Sequence, residues 1–149
     1  MTECRFCVLI KELERGVHQN LVAELKTGFV ILGRHQLTAG YTLFISKTHV
    51  RELHELVDRD LFLHEMALVA EAVYNAFKPV KLNYELMGNS IDHAHWHLIP
   101  RHANDLNLNG PYWGIDKSIR ESTAVIPSNN EMLELKEKLL QEIQKMQII

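Results

Sequence analysis

The chain has 149 residues, 46% hydrophobic and 23% charged, which suits one soluble globular domain with a core of ordinary size. Its formal net charge of −3 argues against non-specific nucleic-acid binding, and it contains no run of about 18 apolar residues that would span a membrane. The first seven residues lack the basic and apolar regions of a secretory signal, so we expect a cytoplasmic protein without stable nucleic-acid or membrane partners.

The first part of the chain predicts a short helix and three strands. A Cys-x-x-Cys pair, Cys4 and Cys7, precedes the helix, which is expected over residues 8–13. In a reducing compartment such a pair indicates half of a metal site or a redox motif rather than a disulfide, and the redox motif needs a preceding strand that this sequence does not have. The strands are expected over 21–25, 28–33 and 41–45, where β-branched and aromatic residues concentrate.

A long helix is predicted in the middle of the chain. Asp58 suits the N-cap position of a helix that begins at Arg59, and Pro79 cannot continue that helix. One apolar stripe repeats at helical spacing and consists of Phe62, Met66, Val69, Val73 and Phe77. The pattern therefore predicts a helix with a single buried face.

Two strands, a loop and a final helix follow. The strands are expected over 82–87 and 91–99, and the irregular polar segment 104–128 is a candidate loop near a functional site. Ser128 and Glu131 form a capping-box pattern that begins the last helix, because each side chain can satisfy a free backbone N–H of the other.

The order of the predicted elements indicates an α+β fold. It consists of a mainly antiparallel five-stranded sheet, a long central helix and a C-terminal helix. The chain shows no internal repeat and no linker, so we expect a single domain over residues 1–149, with the C-terminal loop and helix over about 104–149.

Three histidines alternate within the fifth predicted strand. Side chains alternate along a strand and neighbours on one face lie roughly 7 Å apart, so His93, His95 and His97 are expected to share one face. The other face holds Ala94, Trp96 and Leu98, which suit burial against the long helix. A neutral imidazole nitrogen is a good nucleophile toward phosphorus, and a second histidine can protonate a leaving group.

Arg101 follows this strand and offers a bidentate fork for phosphate oxygens. Two other interpretations stay open at this point. Three histidines on one face also suit a metal site of the three-histidine zinc type, or a solvated polar face of the sheet.

Residues 93–99 match the histidine-triad (HIT) signature, His-φ-His-φ-His-φ-φ with φ apolar, at every position. The preceding Leu-Met-Gly-Asn-Ser and Trp96 resemble a bacterial subgroup described as diadenosine-tetraphosphate-hydrolase-like. Residues 40–49 resemble the family's Gly-His-x-Leu-φ-φ-Pro-Lys-x-His strand. The sequence thus resembles the HIT family over roughly Cys4 to Arg101.

The resemblance implies an enzyme that cleaves dinucleoside polyphosphates such as diadenosine tetraphosphate. In the family the middle histidine, here His95, attacks the α-phosphorus, and water then releases the nucleotide from a nucleotidyl-histidine. His97 would contact the phosphate and assist the leaving group, and His93 would orient the site. The resemblance also implies a HIT-like fold, a homodimer with a sheet shared between subunits, and no catalytic cofactor.

Three departures from the family pattern concern substrate contacts. Tyr41 stands where the family often has a histidine, and Gly33 stands where it has a ribose-contacting Asn or Asp. The family's Gln and Ser before the triad contact the phosphates, and Asn89 and Ser90 are expected to take this substrate-binding role.

The resemblance further implies a structural zinc. Some HIT proteins and the related galactose-1-phosphate uridylyltransferases hold it through Cys-x-x-Cys, a distant histidine and the first histidine of the motif. In this sequence the set is Cys4, Cys7, His49 and His93. The alternative is a pair of free thiols.

Other functions remain open from the sequence. A nucleoside phosphoramidase or a nucleotidyltransferase would use the same nucleophile, and a non-catalytic nucleotide-binding protein would use the same pocket. A zinc-dependent hydrolase would instead place the three triad histidines on the metal. Trp113, in a Gly-Pro loop, suits the core somewhat better than a cover over a nucleobase.

Overall fold

The computed structural model describes residues 3–149; Met1 and Thr2, which open the segment inspected for a secretory signal, lie outside the described residues. The strands are β1 Leu21–Glu24, β2 Gly28–Leu32, β3 Thr42–Ser46, β4 Lys81–Glu85 and β5 His95–Arg101. The α-helices are α1 Arg5–Leu13, α2 Arg59–Phe77, α3 Lys117–Arg120 and α4 Asn129–Lys145. Short 3-10 turns cover Leu53–Glu55, Tyr112–Gly114 and Thr123–Val125.

The five strands form one sheet in the order β1-β2-β3-β5-β4, and every neighbouring pair is antiparallel. This confirms the predicted α+β fold with its five-stranded sheet, long central helix and C-terminal helix. No helix among residues 3–149 is long and apolar enough to cross a membrane.

Helices cover both faces of the sheet. Val30, Phe44 and Leu98 point to one face and pack with α2 and α4, whereas Phe29 and Ile45 point to the other face and pack with α1. Because β2 is covered on both sides, it is buried along its whole length. The predicted burial of Ala94, Trp96 and Leu98 toward the long helix is confirmed, with Trp96 partly buried.

The helix ends follow the predicted signals with one exception. The capping box of Ser128 and Glu131 is present at the start of α4. The long helix begins after Asp58 as expected, but the Asp58 side chain makes no capping hydrogen bond. At its other end Lys78 adopts a left-handed conformation, with φ of 49°, directly before Pro79.

The fifth strand begins at His95 rather than at Ile91, which corrects the predicted boundary. Ser46 N–H still donates to the Ala94 carbonyl, but Ala94 N–H turns to the Val50 carbonyl, so the ladder ends there. His93 therefore precedes the strand, and its side chain does not belong to the same row as those of His95 and His97.

Candidate active site

Two histidines on β5 and a tyrosine beside β3 form a hydrogen-bonded chain. His95 Nδ1 lies 2.6 Å from the His93 carbonyl oxygen, and His95 Nε2 lies 3.0 Å from His97 Nε2. His97 Nδ1 lies 2.6 Å from the Tyr41 hydroxyl. Strand β5 places both rings on one face, as the alternation of side chains requires.

The partners of these rings assign their protons. A carbonyl oxygen only accepts, so His95 Nδ1 carries a proton and His95 Nε2 presents a lone pair. The Nε2–H of His97 donates to that lone pair, which leaves His97 Nδ1 to accept the Tyr41 hydroxyl proton. The chain thus aims the nucleophilic lone pair of His95 and one N–H of His97 at the same place.

Burial keeps this chain uncharged. Removal from water lowers the pKa of His97 to about 3, and repulsion from His95 adds to the effect. Burial also lowers the pKa of His95, against the hydrogen bond from its ring to the His93 carbonyl. Burial raises the pKa of Tyr41, so its hydroxyl keeps its proton. At neutral pH the site presents neutral imidazoles, the form that a nucleophile needs.

A cavity of about 360 Å³ opens onto His95 and His97. Asn89 and Ser90, which the sequence analysis expected at the substrate, line its wall. The structure therefore brings four of the predicted site residues to one cavity.

A second cavity of about 470 Å³ adjoins the first, and both apolar and polar side chains line it. Phe6 and Leu43 line both cavities, and Phe6 also meets the His95 ring edge-on at 4.6 Å between centroids. Ile31 and Gly33 continue the wall of the second cavity along β2. Apolar side chains thus form the boundary that the two cavities share.

Two departures from the family pattern touch each other. A Cβ atom at Gly33 would lie 2.7 Å from Cδ1 of the Tyr41 ring, which is closer than real Cβ contacts. The Tyr41 ring therefore fills the space that a side chain at position 33 would need. The tyrosine and the glycine form a steric pair.

Arg101 does not line either cavity, which corrects its predicted phosphate contact. It lies at the end of β5 and only 1% of its surface is exposed. Its five N–H donors bond to Asp105, Asn83, Gly110, Leu106 and Asn107. The guanidinium is fully used inside the protein, where it fixes the loop after β5.

Three side chains of the 104–128 segment line the cavity at His95 and His97; the sequence analysis assigned no site role to two of them and favoured the core for Trp113. They are Trp113, Lys117 and Arg120. Trp113 is half-buried on the cavity wall, 5.2 Å from the His97 ring between centroids, and its indole N–H donates to Glu85. The segment has no hydrophobic period that would have placed these residues in advance.

A second cluster consists of Cys4, Cys7, His49 and His93, whose ligand atoms all lie within 4.8 Å of one another. Cys7 Sγ is 3.3 Å from His49 Nδ1, and His93 Nδ1 is 3.2 Å from His49 Nδ1 and 3.7 Å from each sulfur. Tetrahedral zinc, with bonds of about 2.3 Å to sulfur and 2.0–2.1 Å to nitrogen, separates its ligand atoms by roughly 3.3–3.8 Å. The donor set and its spacing fit zinc.

His93 belongs to this cluster and also contacts the hydrogen-bonded chain of His95, His97 and Tyr41. Its Nε2–H donates to the Ser46 carbonyl at 2.8 Å, which leaves the Nδ1 lone pair facing the two sulfurs. Its backbone carbonyl holds His95. The expected orienting role of His93 thus falls to its backbone, while its ring lies in the other cluster.

The chain is similar in sequence to known proteins. A family model described as HIT domain matches residues 14–104. Protein hit of Bacillus subtilis (strain 168) is 31% identical over 104 residues, which cover 65% of this chain and 72% of that protein. Adenosine 5'-monophosphoramidase HNT1 of Saccharomyces cerevisiae is 28% identical over 103 residues, covering 66% of this chain and 62% of that protein.

A similar fold occurs in the crystal structure of a zinc-bound histidine triad family protein from Mycobacterium smegmatis. The two chains share 21% sequence identity and superpose with a TM-score of 0.65. The match covers 97% of this chain and 96% of the other, so the likeness extends over nearly the whole fold.

Proposed function

This chain belongs to the HIT domain family, and from that premise we propose that it is a nucleotide hydrolase in which His95 attacks the α-phosphorus of a dinucleoside polyphosphate. One observation carries the proposal. The His95 ring is held by its Nδ1–H on the His93 carbonyl, and its Nε2, at the wall of the cavity, accepts the Nε2–H of His97, a hydrogen bond that His97 can transfer to the leaving oxygen as His95 attacks.

The reaction proceeds in two displacements. The His95 Nε2 lone pair forms a bond to the α-phosphorus while the bond from phosphorus to the leaving oxygen breaks, and that oxygen keeps the electron pair. Water then attacks the same phosphorus, the P–N bond breaks, and the proton lost by water passes to solvent or to the product phosphate. The His93 carbonyl stabilises the ring while it carries the nucleotidyl group.

The hydrogen bonds of His97 favour an anionic leaving group. A polyphosphate departs as an anion and needs only a hydrogen bond from the His97 Nε2–H. An amine must gain a full proton, and a neutral His97 that gave one away would need a replacement from Tyr41. Burial raises the pKa of Tyr41, so its hydroxyl is a poor proton source. This supports phosphoanhydride substrates.

The second cavity is proposed to hold the nucleoside. It adjoins the catalytic cavity through Phe6 and Leu43, so a nucleoside placed there would bring its α-phosphate to His95. Asn89 and Ser90 would then contact the phosphates from the other wall. No side chain at Gly33 is available for the ribose, since Tyr41 fills that space.

A second candidate is hydrolysis of a nucleoside phosphoramidate by the same nucleophile. The observation in its favour is the 28% identity to a yeast protein named as an adenosine 5'-monophosphoramidase. Transfer to another acceptor and nucleotide binding without turnover are further candidates. The zinc-dependent hydrolase has less support, because the His93 ring faces a different cluster from His95 and His97.

We also propose that Cys4, Cys7, His49 and His93 bind a structural zinc, which would tie α1 to the loop before β5.

We propose a cytoplasmic homodimer in which β4, one of the two edge strands of the sheet, pairs with a partner subunit. Tyr84 on β4 is 51% exposed, as expected for a side chain covered in a dimer. A solution mass near twice 17.3 kDa would support the dimer.

The test of the proposed reaction is hydrolysis of diadenosine tetraphosphate in ¹⁸O-labelled water. We expect AMP and ATP in equal amounts, with the label in AMP, since water attacks the α-phosphorus. His95→Ala should abolish the products, while His64→Ala, which alters an exposed histidine on α2, should not. Label in ATP instead of AMP, or full activity of His95→Ala, would contradict the mechanism.

A further inference from the structure

The catalytic cavity needs positive charge that its histidines do not supply. His95 must be neutral to attack phosphorus, so it supplies no positive charge. Burial also keeps His97 neutral by lowering its pKa to about 3. Arg101 is fully hydrogen-bonded elsewhere. Phosphate groups are anions whose removal from water requires charged or hydrogen-bonding partners. Other side chains must provide this charge.

Of the residues that line this cavity, Lys117 and Arg120 are the cationic ones. Arg120 is the better fixed of the two. Its Nε donates to the Ile115 carbonyl at 2.8 Å, and its guanidinium carbon lies 4.7 Å from the centre of the Trp113 ring. Its two terminal nitrogens make no hydrogen bond within residues 3–149 and remain available for a bidentate contact.

Lys117 is less constrained. Its side chain is 75% exposed, and its ammonium lies 3.8 Å from Glu121, which also lines the cavity. That carboxylate reduces the positive field of Lys117. We therefore assign the main role to Arg120 and an assisting role to Lys117.

The position of Arg120 defines which part of a substrate it meets. Phe6 and Leu43 form the end of this cavity that adjoins the second cavity. Trp113, whose ring contacts the Arg120 guanidinium, lies beside His97, the residue that assists the leaving group. Arg120 thus lies on the leaving-group side of the site.

We propose that Arg120, packed against the Trp113 ring and assisted by Lys117, forms a subsite for the phosphates of the leaving group. This inference rests on the proposed function and narrows its substrates to those whose leaving group carries at least one phosphate beyond the bond that breaks. The leaving polyphosphate takes the electron pair of the broken P–O bond, and Arg120 compensates the charge that develops there.

Arg120→Gln tests the subsite with two substrates that share the adenosine 5'-phosphoryl part. We expect kcat/KM for diadenosine tetraphosphate to fall about ten- to a hundredfold, the effect of losing a charge-assisted hydrogen bond. For adenosine 5'-phosphoramidate, whose leaving group has no phosphate, we expect a change of less than about twofold. Arg59→Gln, a change at an exposed arginine on α2, is the matched control and should alter neither. Equal losses of Arg120→Gln on both substrates would overturn the assignment.

Binding of inorganic tripolyphosphate provides a readout that needs no turnover. In a calorimetric titration at low salt, wild type should bind tripolyphosphate at least about tenfold more tightly than Arg120→Gln, and Arg59→Gln should bind as wild type does. If wild type turned over neither nucleotide, the proposed function would fail, and this titration alone would decide the subsite. Equal affinity of wild type and Arg120→Gln would overturn it.

Discussion

At the scale of single residues, Tyr41 and His97 determine how the nucleophile is presented. The Tyr41 hydroxyl is 2.6 Å from His97 Nδ1, and His97 Nε2 is 3.0 Å from His95 Nε2. Tyr41 therefore selects the tautomer of His97 whose proton lies on the side of the reacting atoms. The tyrosine satisfies this ring nitrogen by donating its hydroxyl proton to it.

Tyr41→Phe should lower kcat for diadenosine tetraphosphate about ten- to a hundredfold, because His97 loses the donor that fixes its tautomer. KM should change less than about threefold, since Tyr41 acts through His97 rather than on the substrate. Tyr74→Phe removes an exposed hydroxyl from α2 and serves as the control. An unchanged kcat in Tyr41→Phe would remove Tyr41 from the account.

The contact between Gly33 and Tyr41 predicts a suppressible clash. Gly33→Ala should destabilise the protein by about 1–3 kcal/mol, because its Cβ would overlap the Tyr41 ring. In a Tyr41→Ala background the same change should cost less than about 1 kcal/mol. Urea unfolding of the four proteins measures this coupling. An equal cost in both backgrounds would show that the ring does not exclude a side chain at position 33.

At the scale of elements, the N-terminal helix is linked to the candidate active site through the cluster of Cys4, Cys7, His49 and His93. Cys4 and Cys7 lie at the start of α1, and His93 lies two residues before β5. One turn of α1 brings Phe6 to the edge of the His95 ring at 4.6 Å between centroids. The cluster therefore controls the position of a side chain that lines both cavities.

Protein purified under reducing conditions should contain about one zinc per chain, measured by plasma mass spectrometry. Cys7→Ser should lose the metal and lower Tm by about 5 °C or more, because binding energy of the metal contributes to folding. Catalysis should weaken through the displacement of α1. If purified wild type contained no metal and a strong chelator did not change its Tm, the zinc site would be contradicted.

The sequence predicted the periodic elements better than the irregular ones. The apolar stripe of α2 is buried as predicted, and His95 and His97 share one face of β5, but His93 lies outside that row. The predicted start of β5 was wrong. The Ala94 N–H leaves the strand ladder and donates to the Val50 carbonyl, and the sequence pattern of apolar and polar residues does not show this change. Loop 104–128 has no period, so the cavity positions of Trp113 and Arg120 could not be derived.

Arg101 shows why residue type alone misleads about a site. An arginine after a catalytic strand suits phosphate, but whether its donors are free depends on the loop folded around it. The resemblance grouped Cys4, Cys7, His49 and His93 as zinc ligands, and the structure brings their ligand atoms within 4.8 Å of one another, whereas periodicity alone grouped His93 with the other two histidines.

At the scale of the whole molecule, the buried neutral histidines make stability depend on pH. His97 has a folded pKa of about 3 and an ordinary value of 6.5, so between these values the unfolded chain binds a proton that the folded chain rejects. Stability is therefore lost as pH falls below about 6.5, by up to about 1.4 kcal/mol per pH unit for this residue.

Urea unfolding at pH 7 and pH 5 measures this dependence. Wild type should lose up to about 2 kcal/mol more than His97→Gln over this interval, because glutamine does not titrate. His64→Gln, a change at an exposed histidine, should behave as wild type. The same loss in wild type and His97→Gln would mean that His97 is protonated freely in the folded protein.

The covalent intermediate on His95 is the central claim, and mass spectrometry after rapid mixing with diadenosine tetraphosphate and denaturing quench tests it most directly. We expect an adenylyl group on His95, observed by peptide mapping under conditions that preserve P–N bonds, and its absence in His95→Ala. An adduct that persists in His95→Ala would contradict attack by His95. AMP production without an adduct at any mixing time, in both wild type and His97→Gln, would contradict it as well.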